Sequence, residues 1–428
     1  MTQSALLAKI GLRFPLSRDA TKGIPFRFGP EICLETFREI QTQLCLDYFK
    51  WDIQIGDVST LFRQPLLMQP DAWNELKEFS ENLSAELFSM ERELLDRPEL
   101  WTRLGIPREI RNVLKEAGRQ NSTKSVARTL RFDFHYTTEG WRISEVNSDV
   151  PGGHAEASAF TAMMASQFPG TEIAGDPADA WANAMQKDVK SCRNVALLSA
   201  PGFLEDQQVT MLLAATLEKR GIRTHLLHHP EQLKWKNGHA SAVAGNASVA
   251  LDAIVRFYQG EWLARRGKNN GWEYFFSGGE TPISNYGAAI LTESKRLPLL
   301  FNLLKSSSEL WRHLLPDCWD PRETDWTRDD GSVLKATFSN TGDSVYFRGH
   351  MPVKQWKKIV LRAQKSPEQW VVQRRFDPVR IESCAGFIYP CIGVFTINGN
   401  VAGIYARVSG KSTIDFRAMD AACLIAEK

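Results

Sequence analysis

The chain has 428 residues, with 52 Lys plus Arg against 50 Asp plus Glu, a formal net charge of +2. A composition of 43% hydrophobic and 24% charged residues excludes disordered, collagen-like and small disulfide classes, and the length predicts two or three domains around sizeable cores. With no Lys/Arg run and no apolar stretch of the ~18 to 20 residues that span a bilayer, neither a nucleic-acid nor a membrane partner is expected.

The N-terminal segment breaks its apolar run with Lys9 and Arg13 and does not read as a signal peptide. Residues 30 to 118 space apolar side chains three and four apart, which predicts packing helices. Residues 128 to 149 alternate like strands, and a helix is expected in HAEASAFTAMMASQF after the Pro151-Gly152-Gly153 turn. From Cys192 the order strand (NVALLSAP), helix (EDQQVTMLLAATLEKRG) and two strands (IRTHLLHH, ALDAIVRFY) predicts a compact α/β lobe. Gly202 stands alone there, so no dinucleotide fingerprint is present. From about Thr281 a helix is expected through ILTESKRLPLLFNLL, then strands around SVLKATF, SVYFRG, WVVQRRF and IYPCIGVFTI, with a hairpin turn at Asn398-Gly399-Asn400. The seven scattered cysteines contain no C-x-x-C pair; unpaired thiols in a reducing cytoplasm fit them.

The richest chemistry lies between Arg131 and Asp149. A hairpin with the three-residue loop Thr138-Glu139-Gly140 would place Gly140 in the left-handed conformation and pair Thr137 with Trp141. Asp133 then faces Glu145 and Arg131 faces Asn147, all on one side, while Phe132, Phe134 and Val146 turn to a core. Opposed carboxylates repel unless a cation sits between them. Their oxygens and an amide suit Mg²⁺, which shares its ligands with nucleotide phosphates; the other reading is a solvated polar face.

Further along, Lys335 ends a strand before the small polar loop Ser339-Asn340-Thr341-Gly342, either a phosphate-binding turn or an ordinary hairpin turn. Gln373 closes a strand where main chain and side chain suit an adenine edge in an apolar slot, or a plain buried strand end. Lys295 reaches phosphates or solvent, and Arg407 with Asp415 is a site-facing pair or a surface pair. No hydrolase elbow and no P-loop is present, and His154, beside two glycines, is the one histidine expected near a site.

Taken in order, these segments resemble the ATP-grasp enzymes of the glutathionylspermidine synthetase type, from about Tyr48 to the C-terminus. The strongest motif is R-x-D-x(11)-E-x-N-x-D, here Arg131, Asp133, Glu145, Asn147 and Asp149. Softer matches are T-E-S-K at 292 to 295, Lys335, V-V-Q at 371 to 373, and Asp252-x-x-x-Arg256 with Glu261-Trp262. The resemblance implies an α/β (α+β) fold, a circularly permuted ATP-grasp with a helical N-terminal region. Its expected parts are helices plus the metal hairpin over 1–185, a Rossmann-like pre-ATP-grasp lobe over 186–280 and the ATP-binding part over 281–428. It also implies Mg²⁺ on Asp133, Glu145 and Asn147, Arg131 facing an acyl phosphate, and ATP held by Lys295, Lys335, Ser339, Gly342, Gln373 and Arg407. The activity implied is an ATP-dependent carboxylate-amine ligase acting on small-molecule or short-peptide acids and amines. A non-catalytic ATP-binding descendant and a small-molecule kinase are the alternatives, the first because Ser339-Asn340-Thr341-Gly342 replaces the usual G-R-E-G loop. No amidase domain of the bifunctional members is expected.

Overall fold

The computed structural model describes residues 23–56, 58–117, 125–245, 247–267, 271–339 and 344–427. Helices α1 (Leu34–Asp47), α2 (Pro70–Leu95) and α3 (Arg108–Ala117) fill the early chain. The apolar spacing of α2 buries Leu76, Phe79, Leu83, Leu87, Met90 and Leu94, and Pro70 opens it where its missing N–H costs nothing.

Strands β1 (Thr129–Thr137) and β2 (Gly140–Asn147) follow. After a π-helical turn at Glu156–Phe160 comes α4 (Pro177–Asp188). The next elements are β3 (Asn194–Ser199), α5 (Leu204–Glu218), β4 (Arg223–Leu227), β5 (Ala253–Phe257) and β6 (Ile283–Ser284). Strands β4, β3, β5 and β6, then Ser125–Val126, form a five-stranded parallel sheet in that order. The two strands at one end of it, β6 and Ser125–Val126, come from outside 186–280. Val195 and Leu197 pack with α4 and α5 on one face, Ala196 and Leu198 on the other. Burial on both faces explains the unbroken apolar runs of its strands. A three-stranded antiparallel sheet of Leu233–Lys236, His239–Ala244 and Ala247–Ala250 is inserted before β5, an element not anticipated above.

The C-terminal part contains β7 (Cys318–Trp319), β8 (Ser332–Ala336), β9 (Val345–Tyr346), α6 (Val353–Lys365) and β10 (Trp370–Arg374). These strands form an antiparallel sheet in the order β7-β10-β8-β9. Helix α6 was not anticipated either; it buries Trp356, Ile359 and Ala363. Finally β11 (Gly386–Ile397), β12 (Asn400–Ser409) and β13 (Met419–Ala421) join β1 and β2 in a central antiparallel sheet, β13-β12-β11-β1-β2. The turn between β11 and β12 has Asn398 at φ 50° and Gly399 at φ 85°, the double left-handed turn that an Asn-Gly pair favours. Helix α2 crosses this sheet, with the hydroxyls of Ser84 and Thr396 3.1 Å apart in the core. All seven cysteines are unpaired, and no described helix is long and apolar enough to cross a membrane.

The expected helix around Lys295 is broken. It ends at Glu293, Ser294 turns extended (ψ 119°), and Leu297–Leu300 is a separate 3-10 turn. Pro298 cannot sit in a helix interior without losing a hydrogen bond, and the break lets the Lys295 N–H donate to Thr337 O at 3.1 Å.

Candidate active site

The hairpin of β1 and β2 sets the site. Gly140 is left-handed (φ 92°), but the pairing that leaves the turn is Tyr136 with Trp141, not Thr137 with Trp141. The one-residue offset is recovered at a bulge beside Ser144, beyond which Asp133 faces Glu145 and Arg131 faces Asn147. The bulge also re-aims Ser144: its hydroxyl donates to Asp133 O at 3.2 Å and its carbonyl accepts from Lys335 Nζ at 3.0 Å. Phe132, Phe134, Ile143 and Val146 are buried on the opposite side.

Arg131 grips Asp133 with two bonds, Nε to Oδ1 at 2.8 Å and Nη2 to Oδ2 at 3.0 Å, and donates to Gly152 O at 2.8 Å. The Asn147 amide reaches Asp133 Oδ2 at 3.2 Å. Glu145 lies 3.3 Å from Lys295 Nζ, which also donates to Ser339 O at 2.8 Å. Burial disfavours the charged form of Glu145, yet Lys295, Lys335 and Arg131 outweigh it and hold its pKa below the ordinary value. Burial likewise presses on both lysines. It prevails at Lys335, lowering its pKa, whereas Glu145 and Glu293 keep Lys295 raised.

Three openings meet at this hairpin. One cleft, of about 730 Å³, lies between the central sheet and β8–β10, with Asp133, His135 and Glu145 on one wall and Lys335, Gln373 and Phe376 on the other. Behind it an apolar slot of about 450 Å³, with Phe301, Trp311 and Leu315, shares Glu145, Lys335 and Gln373 and takes in Lys295. A charged cleft of about 1040 Å³, counting its open mouth, is lined by Arg131 and Asn147 together with Lys50, Glu205, Asp206 and Asp420. Arg407 lines both the first and the third; its bond to Asp415, at 3.1 Å, goes to the main-chain carbonyl, and Asp420 lies across from it on β13.

Arg131, Asp133, Glu145, Asn147, Lys295, Lys335, Gln373 and Arg407 are thus brought to neighbouring openings. Ser339 contributes its carbonyl to Lys295 and lines a small cavity with Asn147 and Glu293. Gly342 lies outside the described residues. His154 is packed between Phe257 and Phe395, between the Gly153 and Ala155 that line the charged cleft, with burial and then Arg131 pushing its pKa down to about 3. His135, not singled out in the sequence, lines the first cleft; its place two residues after Asp133 on the same strand was the available signal. Also missed was Lys50, which is buried and paired with Asp52 (2.9 Å), Glu156 and Asp420 (3.4 Å).

Asp149, last residue of the motif, performs a different task. Its carboxylate pairs with the fully buried Arg256 of β5 and accepts the Gly260 N–H at 2.9 Å, joining the parallel sheet to the hairpin. Asn285, left-handed at φ 51°, adds bonds to Thr129 O (3.1 Å) and Asp149 O (2.6 Å). Glu293 accepts the N–H groups of Ser148 (2.6 Å) and Asp149 (3.0 Å), and burial raises its pKa from about 4.5 to about 7. A carboxyl raised on folding stabilises fully below pH 4.5, and that stability is lost as pH rises through 7. Urea unfolding should therefore show Glu293→Gln gaining about 1–2 kcal/mol on wild type between pH 4.5 and pH 8, less than the full shift because the side chain is only half-buried.

A parallel lobe and two antiparallel sheets enclosing cation-flanked carboxylates define a protein of the ATP-grasp type. The chain belongs to the glutathionylspermidine synthase preATP-grasp family, which it matches over residues 55–424. Among solved structures, it is similar to an apo glutathione synthetase-like effector from Globodera pallida, at 13% identity and a TM-score of 0.62, covering 92% of this chain and 97% of that one. That likeness is one of fold. A putative gamma-glutamylcysteine synthetase from Methylobacillus flagellatus (13% identity, TM-score 0.40, 79% and 86% covered) and a D-alanyl-alanine synthetase A from Vibrio cholerae (10%, 0.32, 55% and 89%) are more distant in shape. No curated protein sequence matches.

Proposed function

We propose that the protein is an ATP-dependent carboxylate-amine ligase that forms an amide through an acyl phosphate. The observation that carries this reading is the face shared by Asp133, Glu145 and Asn147, set between Lys295 and Lys335 on one side and Arg131 on the other. Among the described residues no group of three or more His, Cys, Asp or Glu could cage a metal, but two carboxylates and an amide are the incomplete oxygen set that Mg²⁺ completes with phosphates. Asp133, Glu145 and Asn147 would hold that ion, which when bound neutralises phosphate charge.

Lys295 and Lys335 grip the nucleotide phosphates, while Gln373 and the adjoining main chain meet the base. The acceptor acid lies against Arg131 in the charged cleft. Arg131, fixed there by Asp133 and Gly152, stabilises the oxyanion that forms when the amine attacks. The amine is met by the carboxyls of Glu205 and Asp206, which line the same cleft. The permuted segment order fits a central sheet that draws strands from residues 129–147 and 386–421.

Mass spectrometry after incubation with Mg-ATP and pooled amino acids, short peptides and polyamines tests the reading. ADP should appear together with a product of mass acid plus amine minus water. ADP with a phosphorylated metabolite would replace the ligase by a kinase, and ATP binding without turnover by a non-catalytic relative.

A further inference from the structure

We infer that the outer face of helix α6 is a docking surface for an anionic lipid bilayer, which it meets through unpaired lysines set around exposed aliphatic side chains.

The near-neutral charge of the whole chain conceals a local excess. Residues 344–367 carry six Lys and Arg and no Asp or Glu, against +2 for all 428 residues, so the remainder is net negative. Five of the six lie on α6: Lys354, Lys357, Lys358, Arg362 and Lys365. All five are exposed, and among the described residues none is within ion-pair distance of a carboxylate. The acids of the preceding loop are engaged elsewhere. Asp330 lies 3.8 Å from Arg348, and Asp329 accepts from the Gly331 N–H at 2.8 Å and the Ser332 hydroxyl at 2.5 Å.

Helical spacing sets Lys357 and Lys365 one turn to either side of Leu361, with Lys354 and Lys358 on the same face. Leu361 is 65% exposed, and Val353, one turn before Lys357, is 70% exposed. The opposite side of α6 buries Trp356, Ile359 and Ala363 with Leu334 of β8 and Val372 of β10. Their strand neighbours Lys335 and Gln373 point the other way and line the cleft against the central sheet. The lysine face is therefore turned away from the candidate active site, where its cations have no task.

Unpaired cations on a convex face attract anionic headgroups, each adding to the partition. Their aliphatic stems, with Leu361 and Val353 among them, reach the acyl boundary while the ammonium groups stay in water. A nucleic acid would call for aromatic rings to stack on, and the outer face of α6 exposes none. The apolar side of α6 is already committed to the core, so the helix adsorbs on the bilayer without entering it.

Flotation of the purified protein with vesicles tests the inference, using phosphatidylcholine alone and an equal mixture of phosphatidylcholine and phosphatidylglycerol. The protein should float with the mixture and not with phosphatidylcholine, and should be released at ~1 M salt, where charges are screened within about 3 Å. The triple variant K354Q/K357Q/K358Q should lose about 100-fold in partition. A separate variant, R362Q/K365Q, removes cations one turn farther on and should also weaken flotation. All five positions are exposed, and an unchanged thermal transition certifies each variant as folded. No flotation of the wild type with the mixture, equal flotation with both vesicle types, or flotation of both variants within twofold of wild type would overturn the inference. So would capture of a short oligouridylate by the wild type in place of the vesicles, which would reassign the face to nucleic acid.

Discussion

Asp149→Ala should destabilise the protein by about 3–5 kcal/mol, measured by urea unfolding, because it strands a guanidinium with no exposure to water. Arg256 would keep only the carbonyls of Asn285 (3.0 Å) and Tyr258 (2.6 Å), which satisfy N–H groups but do not balance its charge. The Gly260 N–H would lose its acceptor as well. Against a typical total stability of about 5–15 kcal/mol, this is enough to compromise folding near 37 °C. The contrasting experiment is the double replacement Asp149→Leu with Arg256→Met, which removes both charges and should recover much of the loss. Equal instability in the single and double variants would show that the ion pair is not what joins the parallel sheet to the hairpin.

Glu145→Gln should lower ADP formation by at least about 100-fold while keeping the fold, with the melting transition within about 5 °C of wild type. The substitution preserves size and removes the charge facing Lys295. Asp133 is a less clean target, since its carboxylate is also the bidentate partner of the buried Arg131, and its loss mixes stability with chemistry. Near-normal turnover in Glu145→Gln would remove the metal assignment.

What could be read from the sequence was what is local. Period-two alternation put Asp133, Glu145, Arg131 and Asn147 on one face, and Gly140 marked the turn. The pairing next to the turn was read one residue out, yet the Asp133–Glu145 register is present because the bulge at Ser144 makes up the difference. Lys335 and Gln373 were visible as strand residues, whereas the Lys295 segment was read as helix through Pro298, which forbids it. The inserted three-stranded sheet had its own signal in Asn237-Gly238, both left-handed in the turn between its first two strands. No local pattern could announce that Lys50 meets Asp420, 370 residues away, or that Asp149 answers Arg256, 107 residues on. His135 was passed over because its place in a cleft depends on β8 and β10, built two hundred residues later.

The pairing of β1 with β11 also bears on how the molecule is made. Thr129 pairs with Ile397, so during synthesis one edge of β1 waits while the intervening chain emerges. At about 5–20 residues per second that wait is on the order of tens of seconds. Meanwhile the parallel lobe, most of whose strands lie closer together in the chain, can fold first, leaving an open β-edge beside Phe132 and Phe134 for other chains to add to. The central sheet is therefore among the last parts to close and a point at which misassembly competes with folding.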